Sequence, residues 1–233
     1  MNPHSTTHEC PQPALNRRPI ASRQWRVSGY VAAWLVRRGV SPNAISIGGM
    51  ISAVAAGLAL AFTGIADFPG RWLWLLAAAG MQMRLIANML DGMVAIESNR
   101  ASPLGELCNE VPDRVSDVAI FVGAGFAAGG DLLSGCAAAI ASLLTAYARV
   151  FGASLGLTHD FRGPMAKQHR MAIMTVACVV LFIFPELGQW TYGGDERMSM
   201  IAAATQLVAV GAVITFVRRL MWIIRQVRGK THA

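Results

Sequence analysis

The sequence predicts an all-α polytopic membrane protein, in which six transmembrane helices follow an amphipathic helix that lies in the membrane interface. Of its 233 residues, 54% are hydrophobic and only 14% are charged, and the mean hydropathy is +0.45. A soluble domain carries about a quarter charged residues. The apolar stretches run to about 20 residues each, the length that a helix needs to cross a hydrocarbon core of about 30 Å. The alternating short segments of a membrane β-barrel are missing from the sequence, so helices are the expected spanning elements.

The chain begins with a polar segment and continues with an amphipathic one. Residues 1–20 contain several prolines and no apolar run behind a basic start, so we expect a disordered cytoplasmic tail rather than a cleaved signal peptide. Residues 21–41 interleave aromatic side chains such as Trp34 with arginines such as Arg37. A helix of this kind lies in the interface, with its apolar side in the acyl boundary. A Ser-Pro-Asn segment at residues 41–43 ends it and is suited to cap the first span.

Six apolar segments fill a membrane domain at residues 42–225, and a basic tail at residues 226–233 follows. We place the spans near residues 44–64, 71–97, 108–129, 132–157, 170–188 and 198–223. Basic residues collect in the N-terminal region, the loops at 97–107 and 158–169, and the C-terminus, whereas the alternate loops are acidic or nearly uncharged. The positive-inside rule therefore places both termini in the cytoplasm, with the domain in a bacterial-type inner membrane.

The net charge of +7 has a distribution that argues against nucleic acid as a partner. The basic residues lie beside membrane segments rather than on one soluble face, which favours membrane lipids and phosphate groups instead. The four cysteines have no paired spacing, so the sequence supports neither a disulfide framework nor a zinc site.

Polar side chains concentrate where the second and third spans meet. On the second span, Arg84, Asn88, Asp91 and Ala95 share one helical face; on the third, Glu106, Glu110, Asp113 and Asp117 share another, with Asn109 at its edge. An ionisable group inside a membrane is costly, so by default it indicates a functional site. The predicted topology puts this cluster near the cytoplasmic face, where it can reach both soluble nucleotide and membrane lipid.

The spacing of these residues resembles the signature of the CDP-alcohol phosphotransferases, D-x-x-D-G-x-x-A-R-x8-G-x3-D-x3-D. The matching residues are Asp91, Gly92, Ala95, Gly105 and Asp113, and every gap agrees. Asn88, Ile96 and Asn109 stand where the signature has Asp, Arg and Asp. The resemblance implies a homodimeric membrane enzyme of phospholipid biosynthesis. Such an enzyme moves a phosphatidyl group from CDP-diacylglycerol to a polar alcohol acceptor and releases CMP.

Carried over by position, the resemblance implies four metal-binding residues: Asn88, Asp91, Asn109 and Asp113. Asp113 is also the candidate general base. Oxygen donors from two helices suit Mg²⁺ or Mn²⁺, and an asparagine keeps one donor in its carbonyl oxygen. Two carboxylates bring a charge of −2 where four would bring −4, so we expect one ion, and a second is left open.

Further positions are candidates for binding the nucleotide and the acceptor. The nucleotide-binding candidates are Gly92, Ala95, Gly105 and Arg100; the last of these would replace the arginine that is missing at Ile96. Arg114 and Arg149 are candidates for an acceptor-phosphate pocket, and their alternative role is to extend to the interface as lipid-contacting charges.

Three charged elements have two interpretations each. Glu110 either joins the metal ligands or pairs with Arg114 or Arg84. Arg84 either holds a carboxylate or phosphate at the site or pairs structurally with Asp117. The basic loop at residues 161–170 either closes over a substrate or serves as topogenic and lipid-contacting charge, and the second interpretation is favoured.

Two other functions remain to be weighed against the phosphotransferase. A catalytically silent homologue would bind nucleotide or lipid without binding a divalent metal. A small ion-coupled transporter is less favoured, because the polar cluster lies toward one face and the halves of the sequence show no evident repeat. The sequence does not distinguish among glycerol phosphate, inositol phosphate, serine and other head groups as the acceptor.

Overall fold

The computed structural model describes residues 26–65, 70–98, 103–158, 163–188, 190–191 and 197–231. These residues form seven α-helices: α1 (Arg26–Arg37), α2 (Pro42–Thr63), α3 (Gly70–Glu97), α4 (Pro103–Gly125), α5 (Leu132–Ser154), α6 (Lys167–Ile183) and α7 (Met200–Thr231). A 3-10 turn at Pro185–Gly188 and two short strands, β1 (Trp190–Thr191) and β2 (Arg197–Met198), connect α6 to α7. The strands pair antiparallel, with Trp190 opposite Met198. The predicted helical fold is therefore confirmed.

Each predicted span overlaps one of the helices α2 to α7, with ends that differ by up to eight residues. Within the described ranges, α2, α3, α5 and α7 are long and apolar enough to cross a membrane. The two helices that fall short do so for physical reasons. Helix α4 carries the acidic cluster, and α6 has only 17 residues. The criterion of length and hydropathy alone thus supports four of the six predicted spans.

Near the N-terminus the structure describes only part of the predicted elements, and near the C-terminus it shows a longer helix than predicted. The predicted tail at 1–20 and the first part of the predicted interfacial helix, residues 21–25, lie outside the described residues. Helix α1 packs against α3 and leaves Tyr30 and Trp34 exposed. Helix α7 continues through Thr231, into the segment that the sequence suggested was a separate tail. No proline interrupts its basic end, and arginine and lysine are favourable helix formers.

The core is built mainly from small residues that allow helices to approach closely. Helix α2 packs against both α3 and α4, α5 packs against α7 and α4, and α6 packs against α3 and α7. A Cβ atom on Gly123 would collide with the backbone of Gly57, and one on Gly57 would collide with the carbonyl group of Ala119. The backbones of α2 and α4 are therefore in direct contact, as is common where helices associate in lipid.

The alternation of helix direction gives the bundle two distinct ends. The end that we call the site end holds the first turns of α2, α4 and α6 and the last turns of α3, α5 and α7. The opposite end holds the other terminus of each helix. There, Thr63 accepts a hydrogen bond from the backbone N–H of Ala128, and Ser199 donates one to the carbonyl oxygen of Gly129.

Candidate active site at the site end of the bundle

Asp91 and Asp113 are connected through two intermediate residues, Ser46 and Arg84, at the site end. Asp91 lies on the last third of α3 and is 3% exposed, and Asp113 lies on the first half of α4 and is 8% exposed. The hydroxyl group of Ser46, on α2, donates a 2.5 Å hydrogen bond to Oδ2 of Asp91. Arg84 lies 3.5 Å from the carbonyl oxygen of Ser46 and donates to Oδ1 of Asp113. Three helices thus hold the two carboxylates in one polar cluster.

Asp113 is bound by two cations on the same oxygen atom. Nη2 of Arg84, which is fully buried, and Nζ of Lys167 both donate to Oδ1. The structure therefore supports the first interpretation of Arg84, in which it holds a carboxylate of the site, and not the pairing with Asp117. Lys167 is the first residue of α6 and comes from the loop region for which topogenic charge was the favoured interpretation. Its ammonium group contacts Asp113, so Lys167 belongs to the polar cluster.

Three of the four predicted metal-binding residues have a buried oxygen atom without a hydrogen-bond partner. These atoms are Oδ1 of Asn88, Oδ1 of Asp91 and Oδ1 of Asn109. Buried polar atoms in proteins are nearly always satisfied, so each exception requires an explanation. Carboxylate and amide oxygens are the donors that Mg²⁺ and Mn²⁺ prefer. The residues present therefore fit a divalent cation, although no group of three or more His, Cys, Asp or Glu side chains arranged for a metal occurs among the residues that the structure describes.

Glu110 joins two arginines from different helices. One carboxylate oxygen accepts from Arg114, one turn along α4, and the other accepts from Arg149 near the end of α5. All three side chains are between 23% and 29% exposed, so the group is accessible from outside the bundle. Of the predicted alternatives for Glu110, the structure shows the pairing with Arg114, and Arg149 binds the other carboxylate oxygen. The two arginines predicted to bind acceptor phosphate converge on one anionic group.

The structure describes three of the four predicted nucleotide-binding residues. Gly92 and Ala95 are buried on α3, and Gly105 is half-buried in the first turn of α4. Arg100 lies outside the described residues, as does the side chain of Glu106, so the substitute for the arginine missing at position 96 stays a prediction. Ile96 itself is 58% exposed.

A second buried ion pair lies one turn further into the bundle. Arg170 on α6 donates a 2.8 Å hydrogen bond to Asp117 on α4, and both residues are almost fully buried. Nε and Nη1 of Arg170 and Oδ1 of Asp117 have no partner among the described atoms. This pair could not be expected from the sequence, because the two residues are far apart in the chain and Arg170 closes a run of loop charges.

Comparison with known proteins gives a consistent assignment. The family model described as CDP-alcohol phosphatidyltransferase matches residues 39–225. A phosphatidylinositol phosphate synthase from Streptomyces avermitilis is 28% identical over 208 residues, which cover 86% of this chain and 79% of that protein. An archaetidylinositol phosphate synthase from Aeropyrum pernix is 27% identical over 207 residues, which cover 87% of this chain and 93% of that protein.

Solved structures share the fold. The phosphatidylinositol phosphate synthase of Mycobacterium tuberculosis with CDP-DAG bound superimposes with a TM-score of 0.67 at 23% identity, over 85% of this chain and 94% of that one. The same enzyme in complex with manganese and citrate gives a TM-score of 0.66 at 23% identity, over 84% and 88% of the two chains. The arrangement of helices around the polar cluster is thus one already seen in solved proteins.

Proposed function

The chain belongs to the CDP-alcohol phosphatidyltransferase family, and from this premise we propose that it transfers a phosphatidyl group from CDP-diacylglycerol to a phosphorylated polyol. The observation that carries the proposal is the set of unpartnered buried oxygens on Asn88, Asp91 and Asn109, beside the carboxylate of Asp113. A cluster of this kind has no evident structural purpose and is suited to bind a cation together with a diphosphate.

Asn88, Asp91, Asn109 and Asp113 would hold one Mg²⁺ or Mn²⁺ ion. When bound, such an ion supplies positive charge to the diphosphate and helps to align the reacting groups. The two carboxylates bring a charge of −2 where four would bring −4, which favours one ion over two. Manganese in the solved mycobacterial relative supports the same chemistry for this chain.

The protein side chains would bind, orient and deprotonate the substrates. Asp113 takes the proton from the acceptor hydroxyl group. The hydroxyl oxygen forms a bond to the phosphatidyl phosphorus, and the bond from that phosphorus to CMP breaks. Arg84 and Lys167 keep this carboxylate in a fixed place between α3 and α6. Gly92 and Ala95, with little or no side chain, leave room for the CDP group to approach α3.

The acceptor is proposed to carry a phosphate group. Arg114 and Arg149 reach one position from two helices, and paired guanidinium groups bind phosphate through parallel hydrogen bonds. Two relatives, one bacterial and one archaeal, are named for the synthesis of an inositol phosphate lipid. Inositol phosphate is therefore the first acceptor to test.

The membrane arrangement is proposed as six spans, α2 to α7, in a domain at residues 42–225, with α1 in the interface and both termini in the cytoplasm. Helix α4 can cross despite its charges because it packs against α2 and α5 and pairs those charges with Arg84, Arg149 and Arg170. A homodimer in a bacterial inner membrane, taken from the resemblance, completes the proposal.

The test is an assay of the purified protein with CDP-diacylglycerol, Mn²⁺ and separate acceptors, read by mass analysis of the lipid product and by CMP release. We expect product with inositol phosphate, less with glycerol phosphate, and none with unphosphorylated inositol or serine. A lipid product from serine alone would contradict the proposed acceptor class. No product with any acceptor, from folded protein, would favour the silent homologue.

A further inference from the structure

Lys167 occupies an unusual place for a surface-loop lysine. It begins α6, yet its ammonium group binds Oδ1 of Asp113 on α4, and the two side chains are only 15% and 12% exposed. Arg84 binds the same oxygen atom from the buried side. One of the two carboxylates of the site therefore carries two cations from the protein itself.

The charges of the described site residues are balanced before any metal ion is counted. Asp91 and Asp113 contribute two negative charges, and Arg84 and Lys167 contribute two positive ones. Asparagine at positions 88 and 109 adds oxygen donors without charge. Each further positive charge brought into this buried cluster is therefore opposed by two fixed cations.

The unpartnered oxygens are distributed unevenly over the cluster. They belong to Asn88, Asp91 and Asn109, whereas Oδ1 of Asp113 is bound twice. Among the described residues, Asp91 accepts a side-chain hydrogen bond from the hydroxyl group of Ser46 and from no lysine or arginine, whereas Asp113 is bonded to two cations. A single divalent ion centred on Asp91 satisfies the unpartnered oxygens without displacing both cations from Asp113.

We propose that the ammonium group of Lys167 takes the place of a second divalent ion in the site. It neutralises Asp113, limits the site to one divalent ion and competes with that ion for the carboxylate. This inference rests on the metal site proposed above. It assigns a positioning role to a residue that lies outside the metal-binding signature, on a different helix.

The inference is tested by titrating the purified full-length protein with Mn²⁺ alone and measuring free Mn²⁺ by electron paramagnetic resonance. Wild-type protein is expected to bind one ion per chain. Lys167→Met removes the competing charge and is expected to bind Mn²⁺ about tenfold more tightly, because charges a few ångströms apart in a partly buried site interact strongly. Lys167→Arg keeps the charge and is expected to bind as the wild type does.

Two controls separate this inference from the proposed metal site. Arg225→Met removes an exposed positive charge from the same end of the bundle and is expected to leave Mn²⁺ affinity unchanged. Asp91→Asn is expected to abolish Mn²⁺ binding; if wild-type binding were absent or insensitive to this change, the metal site and the inference would both fail.

The inference alone fails in two cases. One is wild-type binding of two ions per chain. The other is equal or weaker affinity in Lys167→Met while Asp91→Asn still abolishes binding. If Lys167→Met does not fold, Lys167→Gln takes its place in the titration, because glutamine also removes the charge and keeps a polar group. The same two results would overturn the inference.

Discussion

The two ends of the helical bundle satisfy their polar groups in different ways. At the opposite end, Asp131 caps its own helix by accepting from the N–H groups of Leu133 and Ser134, and exposed Arg71 donates to a backbone carbonyl oxygen. At the site end, Arg84 and Asp113 are buried, and each binds a charged or polar group on another helix. The hydrogen bonds described at the opposite end, including those that join distant segments, use backbone groups, hydroxyl groups and exposed side chains rather than buried ion pairs. The buried charges and unpartnered oxygens of the site end therefore indicate function, and the following substitutions test this contrast.

The largest effect is expected from the carboxylates of the site. Asp113→Ala should lower the rate of CMP release by about 10²–10⁴-fold, the range for loss of a general base, and Asp91→Ala should lower it comparably through loss of the metal. The matched substitution at the opposite end, Asp131→Ala, should retain activity. Rates would be measured on protein shown to be folded by gel filtration in detergent. Full activity in either site variant would show that the carboxylates of the site end are not required for the reaction.

The next effect concerns stability rather than rate. Arg84→Met leaves a buried carboxylate with one cation fewer, and breaking a buried ion pair typically costs about 3–5 kcal/mol. Arg71→Met at the opposite end loses an exposed hydrogen bond and a cation–π contact, both with Phe182, together worth about 1–2 kcal/mol. Thermal unfolding of the two variants in the same detergent gives the comparison. Equal melting temperatures would mean that the buried Arg84 pair contributes no more stability than the exposed contacts of Arg71.

Two adjacent glycines on α2 give an internally matched pair at the site end. A Cβ atom on Gly49 would lie 2.6 Å from Cβ of Ala87 and 2.8 Å from Nη1 of Arg84, whereas one on Gly48 would meet nothing within 4 Å. Gly49→Ala should therefore destabilise the protein by about 1–3 kcal/mol and lower activity by shifting Arg84. Gly48→Ala should be neutral or slightly stabilising. The same unfolding assay applies, and a reversed order would contradict the described packing.

A smaller effect is expected when charge is added to the site. Asn88→Asp together with Asn109→Asp keeps the oxygen donors and adds two negative charges. We expect activity to persist and Mn²⁺ affinity to rise by about tenfold, since each carboxylate attracts the ion more strongly than an amide. Mn²⁺ titration measures this directly. Loss of activity would mean that the amides are required for a particular geometry.

The smallest effect lies at the opposite end and depends on pH. Hydrogen bonds from Ser134 and Leu133 hold the pKa of Asp131 below its ordinary value of 3.8. The folded-state pKa is depressed, so the cap stabilises fully above the unfolded-state pKa and its contribution disappears as pH falls through the folded-state pKa. Asp131→Ala should cost about 1 kcal/mol at neutral pH and nothing in strong acid. An unchanged difference at both pH values would argue against an ionised cap.

The helices and the family could be predicted from the sequence because both depend on local spacing. Apolar runs determine where α2 to α7 lie, and the resemblance to the CDP-alcohol phosphotransferases, confirmed at the level of the family, depends on gaps within residues 88–113. The assignment as a phosphatidyltransferase rather than a transporter follows from the same match. These features require no knowledge of how the helices are arranged.

What could not be predicted depends on contacts between distant segments. Lys167 and Arg170 reach α4 only because α6 packs beside α3, and nothing in the basic run around them distinguishes a site residue from a topogenic charge. The different surroundings of Gly48 and Gly49 were equally hidden, because α2 is apolar around its whole circumference and its sequence does not indicate which face is packed.

The backbone contact between α2 and α4 restricts how this sequence can diverge. Gly57 and Gly123 already have the smallest side chain available, so enlargement of one cannot be offset by reduction of the other. Each position accepts a single residue type as long as the two helices keep their separation. Sequence drift in these helices is therefore directed to their outward, lipid-facing surfaces, and a natural variant with alanine at either position would have to carry its α4 carboxylates on a displaced helix.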